Sequence, residues 1–296
     1  MPPRHEPQVN EETSWAAIRT ALDRLFVFPE DTAATQDPLT LTPVEWTSAY
    51  STAYNWSTSA TSAHLYPLLD EYLSEVCARL RGRLAGEPVD QLLATYNVLY
   101  RGFDKRLRVL GRLTAYLERH ATSHARDTGK GWLRCPFPEA EAPPAPVFRV
   151  EGVMVSQEAV STAKNSKDPN QRRSRWFKKI SHHAHHNLTT EWELPRDAAQ
   201  GSDAWNDALT RAEAGSDPEK VIFVGARALG LRRWRLAVLE PLLQDGMAQQ
   251  PSLLSSDAAA LTQFASSMKD VGIRAGDERR QQVALALENP LDSDGK

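Results

Sequence analysis

The sequence predicts an all-α protein. Residues 13–134 and 222–288 carry apolar side chains at the three- and four-residue spacings of a helix face. Neither stretch holds the alternating strands that would nucleate a sheet. Residues 135–221, between them, are rich in Pro, Ser, Asp and His and lose the helical spacing. So long a stretch without a core pattern predicts a largely disordered insertion or linker. Residues 1–12 read as a disordered tail and 289–296 as a polar one. The composition, 41% hydrophobic and 25% charged over 296 residues, suffices for a real core.

The first helix is expected from Thr13. Trp15, Ile18, Leu22, Leu25 and Phe26 form one stripe, and Pro29 ends it. The second has a clear start, with Thr42 as N-cap, Pro43 at the first helical position and Glu45 three residues after the cap. Trp46, Tyr50, Ala53 and Tyr54 share one side of it. Spacing alone leaves two readings of that stripe open, a core face and an aromatic docking face. The third helix is expected from Ala63 to Leu84, through Leu65, Leu69, Tyr72, Leu73, Val76 and Leu80, with Pro67 tolerated in its first turn. The fourth is expected from Val89 to His124, with Gly102 and Gly111 inside it. Each glycine costs roughly 1 kcal/mol against alanine, and lets a neighbouring helix come close.

Within the insertion, PFPEAEAPPAP is a proline-rich linker and VFRVEGVMVS a strand-like piece without a partner. Trp205 and Leu209 hint at a short helix. A further helix is expected from Val224 to Gln249, with a kink or break at Pro241. The last starts after Ser256, uses Leu261, Phe264, Met268 and Val271, and stops at Gly272.

The search for chemistry excludes more than it finds. A net charge of −3 argues against a chain built as a whole to coat nucleic acid. Two cysteines, Cys77 and Cys135, exclude a disulfide scaffold and a four-cysteine zinc site. No apolar run reaches the ~18–20 residues of a membrane span, so no membrane partner is expected. MPPRHEPQVNEETS has no apolar stretch of the secretory kind, so a cytoplasmic and/or nuclear location is expected. There is no P-loop, dinucleotide-binding glycine pattern, Gly-x-Ser-x-Gly elbow or His-Glu-x-x-His. The expectation is a non-catalytic chain, with no cofactor and no metal.

His182, His183, His185 and His186 are the one metal-like cluster, and no nearby Cys or carboxylate completes a tetrahedral set. They read as a solvated loop. Arg172, Arg173, Arg175, Lys178 and Lys179 enclose Trp176 and Phe177. This run reads as a solvated linker. Its alternative is a helical nucleic-acid-binding protein working through residues 172–186 by phosphate neutralisation and stacking.

Taken in order, TSWAAIRTALDRLF, VEWTSAYSTAYNWSTS, HLYPLLDEYLSEVCARL and YNVLYRGFDKRLRVLGRLTAYLERH resemble the N-terminal region of cullins, of the cullin-1 type. GARALGLRRWRLAVLEPLL and SSDAAALTQFASSMKDVGI resemble the next two helices of that family. The resemblance covers about 13–134 and 222–274, and the family has a short turn where this chain has Cys135–Val221. It implies a cullin-repeat-like bundle of antiparallel helices serving as a scaffold arm in a ubiquitin ligase. It also implies docking of a Skp-type or BTB-fold adaptor by the second helix and the end of the fourth. Carried over by position, the adaptor face is Val44, Trp46, Thr47, Tyr50 and Tyr54, with Tyr116, Arg119 and His120. Thr47 stands where cullin-1 types have Met. The resemblance includes nothing of the half that recruits the RING protein, so no RING-protein site is expected and a truncated or decoy form is implied.

Overall fold

The computed structural model describes residues 10–28, 41–59, 64–117, 185–219, 221, 223–244 and 257–288, and these are helical with no strand among them. The helices are α1 (Glu11–Leu25), α2 (Pro43–Ser57), α3 (Leu65–Leu84), α4 (Val89–Leu113) and the short α5 (Ala115–Leu117). After these come α6 (185–191) and α7 (Asp203–Gly215). Next is α8 (Ala226–Trp234), which runs through a π-helical turn (Arg235–Leu239) into α9 (Glu240–Leu242). The last two are α10 (Ala258–Asp270) and α11 (Glu278–Glu288). None of the described helices is long and apolar enough to cross a membrane.

Local chemistry sets the boundaries. Asn10 caps α1 by accepting from the Thr13 N–H at 3.1 Å, so the helix starts earlier than Thr13. The capping box of α2 forms as its sequence dictates. The Glu45 N–H donates to Thr42 Oγ1 at 3.3 Å, and the Thr42 N–H to Glu45 Oε2 at 2.8 Å. α4 ends at Leu113 rather than continuing to His124; Thr114 is its cap and turns its hydroxyl to the Leu110 carbonyl at 2.9 Å. α10 ends in a Schellman turn, with Ile273 N–H to Met268 carbonyl at 3.0 Å and Gly272 N–H to Lys269 carbonyl at 3.1 Å. Gly272 takes φ +86° there.

α4 is central. α3, α8 and α10 pack on it, α1 pairs with α2, and α7 lies on α8 and α10. One core joins Leu22, Phe26, Trp56 and Leu73 of the first zone to Leu229, Trp234, Phe264 and Met268 of the last. The two helical zones are therefore one bundle. Arginines satisfy helix-end carbonyls from inside it. Arg106 of α4 is buried and donates from Nε to the Leu25 carbonyl at 2.9 Å, which ties the end of α1 to α4.

Three expectations are corrected. First, the core-free segment does not extend to Val221. From residue 185 onward the chain forms α6 and α7, whose Leu188, Trp192, Leu194, Trp205, Ala208 and Ala212 make a second cluster, while Ala214 and Val221 join the main core. Buried Arg232 holds this stretch down, donating to the Val221 carbonyl at 2.8 Å and to the Glu213 carbonyl and Ser216 hydroxyl at 2.9 and 2.7 Å. Burial pushes its pKa down to about 10, which leaves it charged at neutral pH. Glu193, at φ 55°, is pinned by Lys269 and Arg280. Second, Pro241 does not break its helix. The π-helical turn before it sets the Glu240 N–H on the Arg235 carbonyl. That wider register accommodates a residue without an N–H. Third, a further helix, α11, follows Gly272, and Asp277 accepts from the Arg279 N–H at 3.0 Å at its start. The strand-like piece at 147–156 lies outside the described residues.

A half-buried charge cluster sits where α4, α7, α8 and α10 meet. Arg227 bridges Asp104 at 3.1 Å and Asp207 at 2.9 Å. Asp270 accepts from the Tyr100 hydroxyl at 3.4 Å. Burial raises the Asp270 pKa, and the neighbouring Asp104 adds to this; Arg211, Arg227 and the Tyr100 bond act against it. A carboxyl whose pKa is raised by folding contributes stability at acid pH and loses it as pH rises through the folded value. Asp270→Asn is therefore expected to unfold at a higher temperature than the parent chain at pH 7, with the gap closing below the ordinary carboxylate range. Melts from pH 3 to 7 check this, and a gap that widens on acidification would contradict it.

Candidate functional site

The candidate site is the outer side of α2 together with α5. The capping box starts α2 rigidly at Pro43, and Ala49, Ala53 and Trp56 turn inward. The core aromatic of α2 is thus Trp56, fully buried, which spacing did not single out. Trp46 and Tyr50 are half-buried. With Leu41 they cover a small cluster of Ala21, Ala49 and Leu113. Their inner edges pack on this cluster and their outer edges reach the surface, so the core reading of the stripe holds for its inner side.

Val44 is 78% exposed and Tyr54 39% exposed. Thr47 is exposed, but its hydroxyl is turned back to the Pro43 carbonyl at 2.7 Å. The turn at Thr114 redirects the chain into α5, which packs on α2 and brings Tyr116 beside the two tyrosines. Its ring centroid lies 6.2 Å from that of Tyr50 and 4.5 Å from that of Tyr54, both edge-to-face. Glu45 stands at the N-terminal edge and pairs with Arg24 of α1. Hydrogen bonds from Thr42 lead in lowering its pKa, so it is anionic.

The structure therefore brings Tyr50, Tyr54 and Tyr116 together and sets Trp46 with Tyr50 on one cluster, while Val44 and Thr47 lie exposed in the first two turns of α2. Arg119 and His120 lie outside the described residues, as do the basic run 172–179 and His182 and His183. His185 and His186 open α6. Among the described residues no group of His, Cys, Asp and Glu could hold a metal ion. Cys77 is buried, and burial raises its thiol pKa far above the usual range, which keeps it protonated.

The arrangement offers apolar and aromatic contact area. The sequence reading missed the floor of the site, Ala21, Leu41 and Leu113. Their signal was available only as small or apolar residues on three different elements. Compared with family models, curated proteins and solved structures, the chain matches none.

Proposed function

We propose that the chain is a non-catalytic, cullin-like scaffold arm whose α2–α5 face docks a Skp-type or BTB-fold adaptor and so serves ubiquitin-dependent protein catabolism. The observation that carries the reading is the packing of Tyr50 and Tyr54 of α2 against Tyr116 of α5, with Tyr54 open to solvent there and Val44 open to solvent in the first turn of α2. The resemblance in sequence places adaptor contacts on these same two segments.

The test is a pull-down of the intact chain with a purified Skp-type adaptor and, in parallel, a RING protein. The informative variant is Val44→Glu with Tyr54→Ala, the two most exposed side chains of the face, with a circular dichroism melt to show that it still folds, since Tyr54 also packs on Tyr116. Trp46 and Tyr50 are less suitable, since they also cover Ala21 and Leu113. The parent chain is expected to retain the adaptor and not the RING protein. The double variant is expected to bind at least tenfold more weakly, a loss of about 1.4 kcal/mol or more. Undiminished binding by the variant, or none by the parent, rejects the proposed face.

A further inference from the structure

A second surface of the bundle is strongly charged and lies apart from the aromatic face. Arg101, Lys105, Arg108 and Arg112 follow one another along α4 at spacings of four, three and four, and all are exposed. At 1.5 Å per residue the row spans roughly 16 Å on one side of the helix. Arg108 pairs with Asp104 at 2.9 Å, and Arg101 Nε donates to the Asn97 carbonyl at 3.3 Å. Lys105 and Arg112 have no hydrogen bond or ion pair among the described residues. Towards the helix N-terminus the same side continues as Val98, 49% exposed, and Ala94. Favourable interaction with the helix dipole accounts for a cation in the last turn, Arg112, but not for one three turns earlier, Arg101.

We propose that this side of α4 docks an acidic amphipathic segment of a partner protein, whose carboxylates meet the cation row and whose apolar side chain meets Val98. Nucleic acid is the less suitable occupant for three reasons. Among the described residues the exposed cations on this side of α4 form a single row. The carboxylates of Asp104 and Asp207 lie beside it on Arg227. An exposed valine in line with the cations adds apolar area that a phosphate backbone does not use.

The test uses the full chain and fluorescence anisotropy. The probe is a labelled helical peptide with four glutamates at spacings of four, three and four and a leucine beyond each end. Its affinity is expected to fall with salt. It is also expected to fall about tenfold in the Lys105→Glu/Arg112→Glu variant, which still unfolds in one transition, its midpoint lowered only slightly by the lost interaction of Arg112 with the helix dipole. Three outcomes overturn the proposal. One is equal affinity for a peptide of the same composition with its glutamates clustered. Another is undiminished binding by the variant. The third is tighter binding of a single-stranded oligonucleotide of equal charge, which would assign the row to nucleic acid.

Discussion

Gly272→Ala is expected to destabilise the fold by roughly 2–5 kcal/mol, against a total of about 5–15 for a typical domain. Two costs add. Gly272 sits at φ +86°, where a Cβ costs about 1–2 kcal/mol. That Cβ would also lie 2.2 Å from the Gly215 nitrogen, 2.5 Å from the Gly215 Cα and 2.6 Å from the Arg211 carbonyl oxygen. These are backbone atoms, so no side chain can swing aside, and overpacking of this kind costs roughly another 1–3 kcal/mol. The ends of α7 and α10 cross here backbone to backbone, so relief means parting two helices. Gly82→Ala is the control: nothing lies within 4 Å of its Cβ, and a glycine inside an exposed helix gains up to about 1 kcal/mol on becoming alanine. Denaturant midpoints of the two variants should move in opposite directions. A Gly272→Ala chain as stable as its parent would mean that α7 and α10 do not meet at this point.

That glycine also marks how far sequence carries. Gly272 as a helix stop is local information, because the missing side chain and the break in apolar spacing are adjacent. Its partner Gly215 lies in another helix, and the contact is a product of packing. The capping box of α2 was legible for the same local reason. The stretch from residue 185 to Val221 was not, because its core consists of two tryptophans, two leucines and several alanines, and alanines add little to a hydrophobic periodicity. Its other anchors are charged, with Arg232 and Arg211 donating to carbonyls of Glu213, Val221 and Trp192. Charged residues in that role count as solvated in any reading by spacing. Pro241 does not break its helix, because the rule against proline assumes an α register and the turn from Arg235 is π-helical. In α2, spacing found an aromatic stripe but did not say which edge faced inward. Trp56 took the core, and Tyr54 was left outside. The meeting of Tyr54 with Tyr116 was an implication of family resemblance rather than of any pattern within one helix.

Trp234→Ala is expected to cost roughly 3–5 kcal/mol, the range for deleting a large buried aromatic. Trp234 is fully buried, with ring centroids of Tyr96, Tyr100 and Phe103 at 5.6, 5.6 and 5.0 Å. Its Nε1 donates to the Tyr96 hydroxyl at 3.0 Å, which in turn meets Ser267 Oγ at 3.1 Å. One residue of α8 thus holds α4 on one side and, through Tyr96, α10 on the other. These are the helices that lie on either side of the segment 118–184 in sequence. Trp234→Phe separates the two contributions. It keeps most of the ring contacts and removes the donor, and because Tyr96 keeps Ser267, about 1 kcal/mol is expected for that loss alone. The shape of the transition says more than its midpoint. If α1–α4 and α8–α11 share one core, the parent chain loses helix and tryptophan burial in a single transition, and Trp234→Ala moves that transition without splitting it. Far-UV circular dichroism and tryptophan fluorescence along one urea titration report the two losses. Two transitions in the parent chain, with the substitution shifting only one, would mean that the zones fold separately and that an adaptor face on α2 needs nothing from the helices after residue 221.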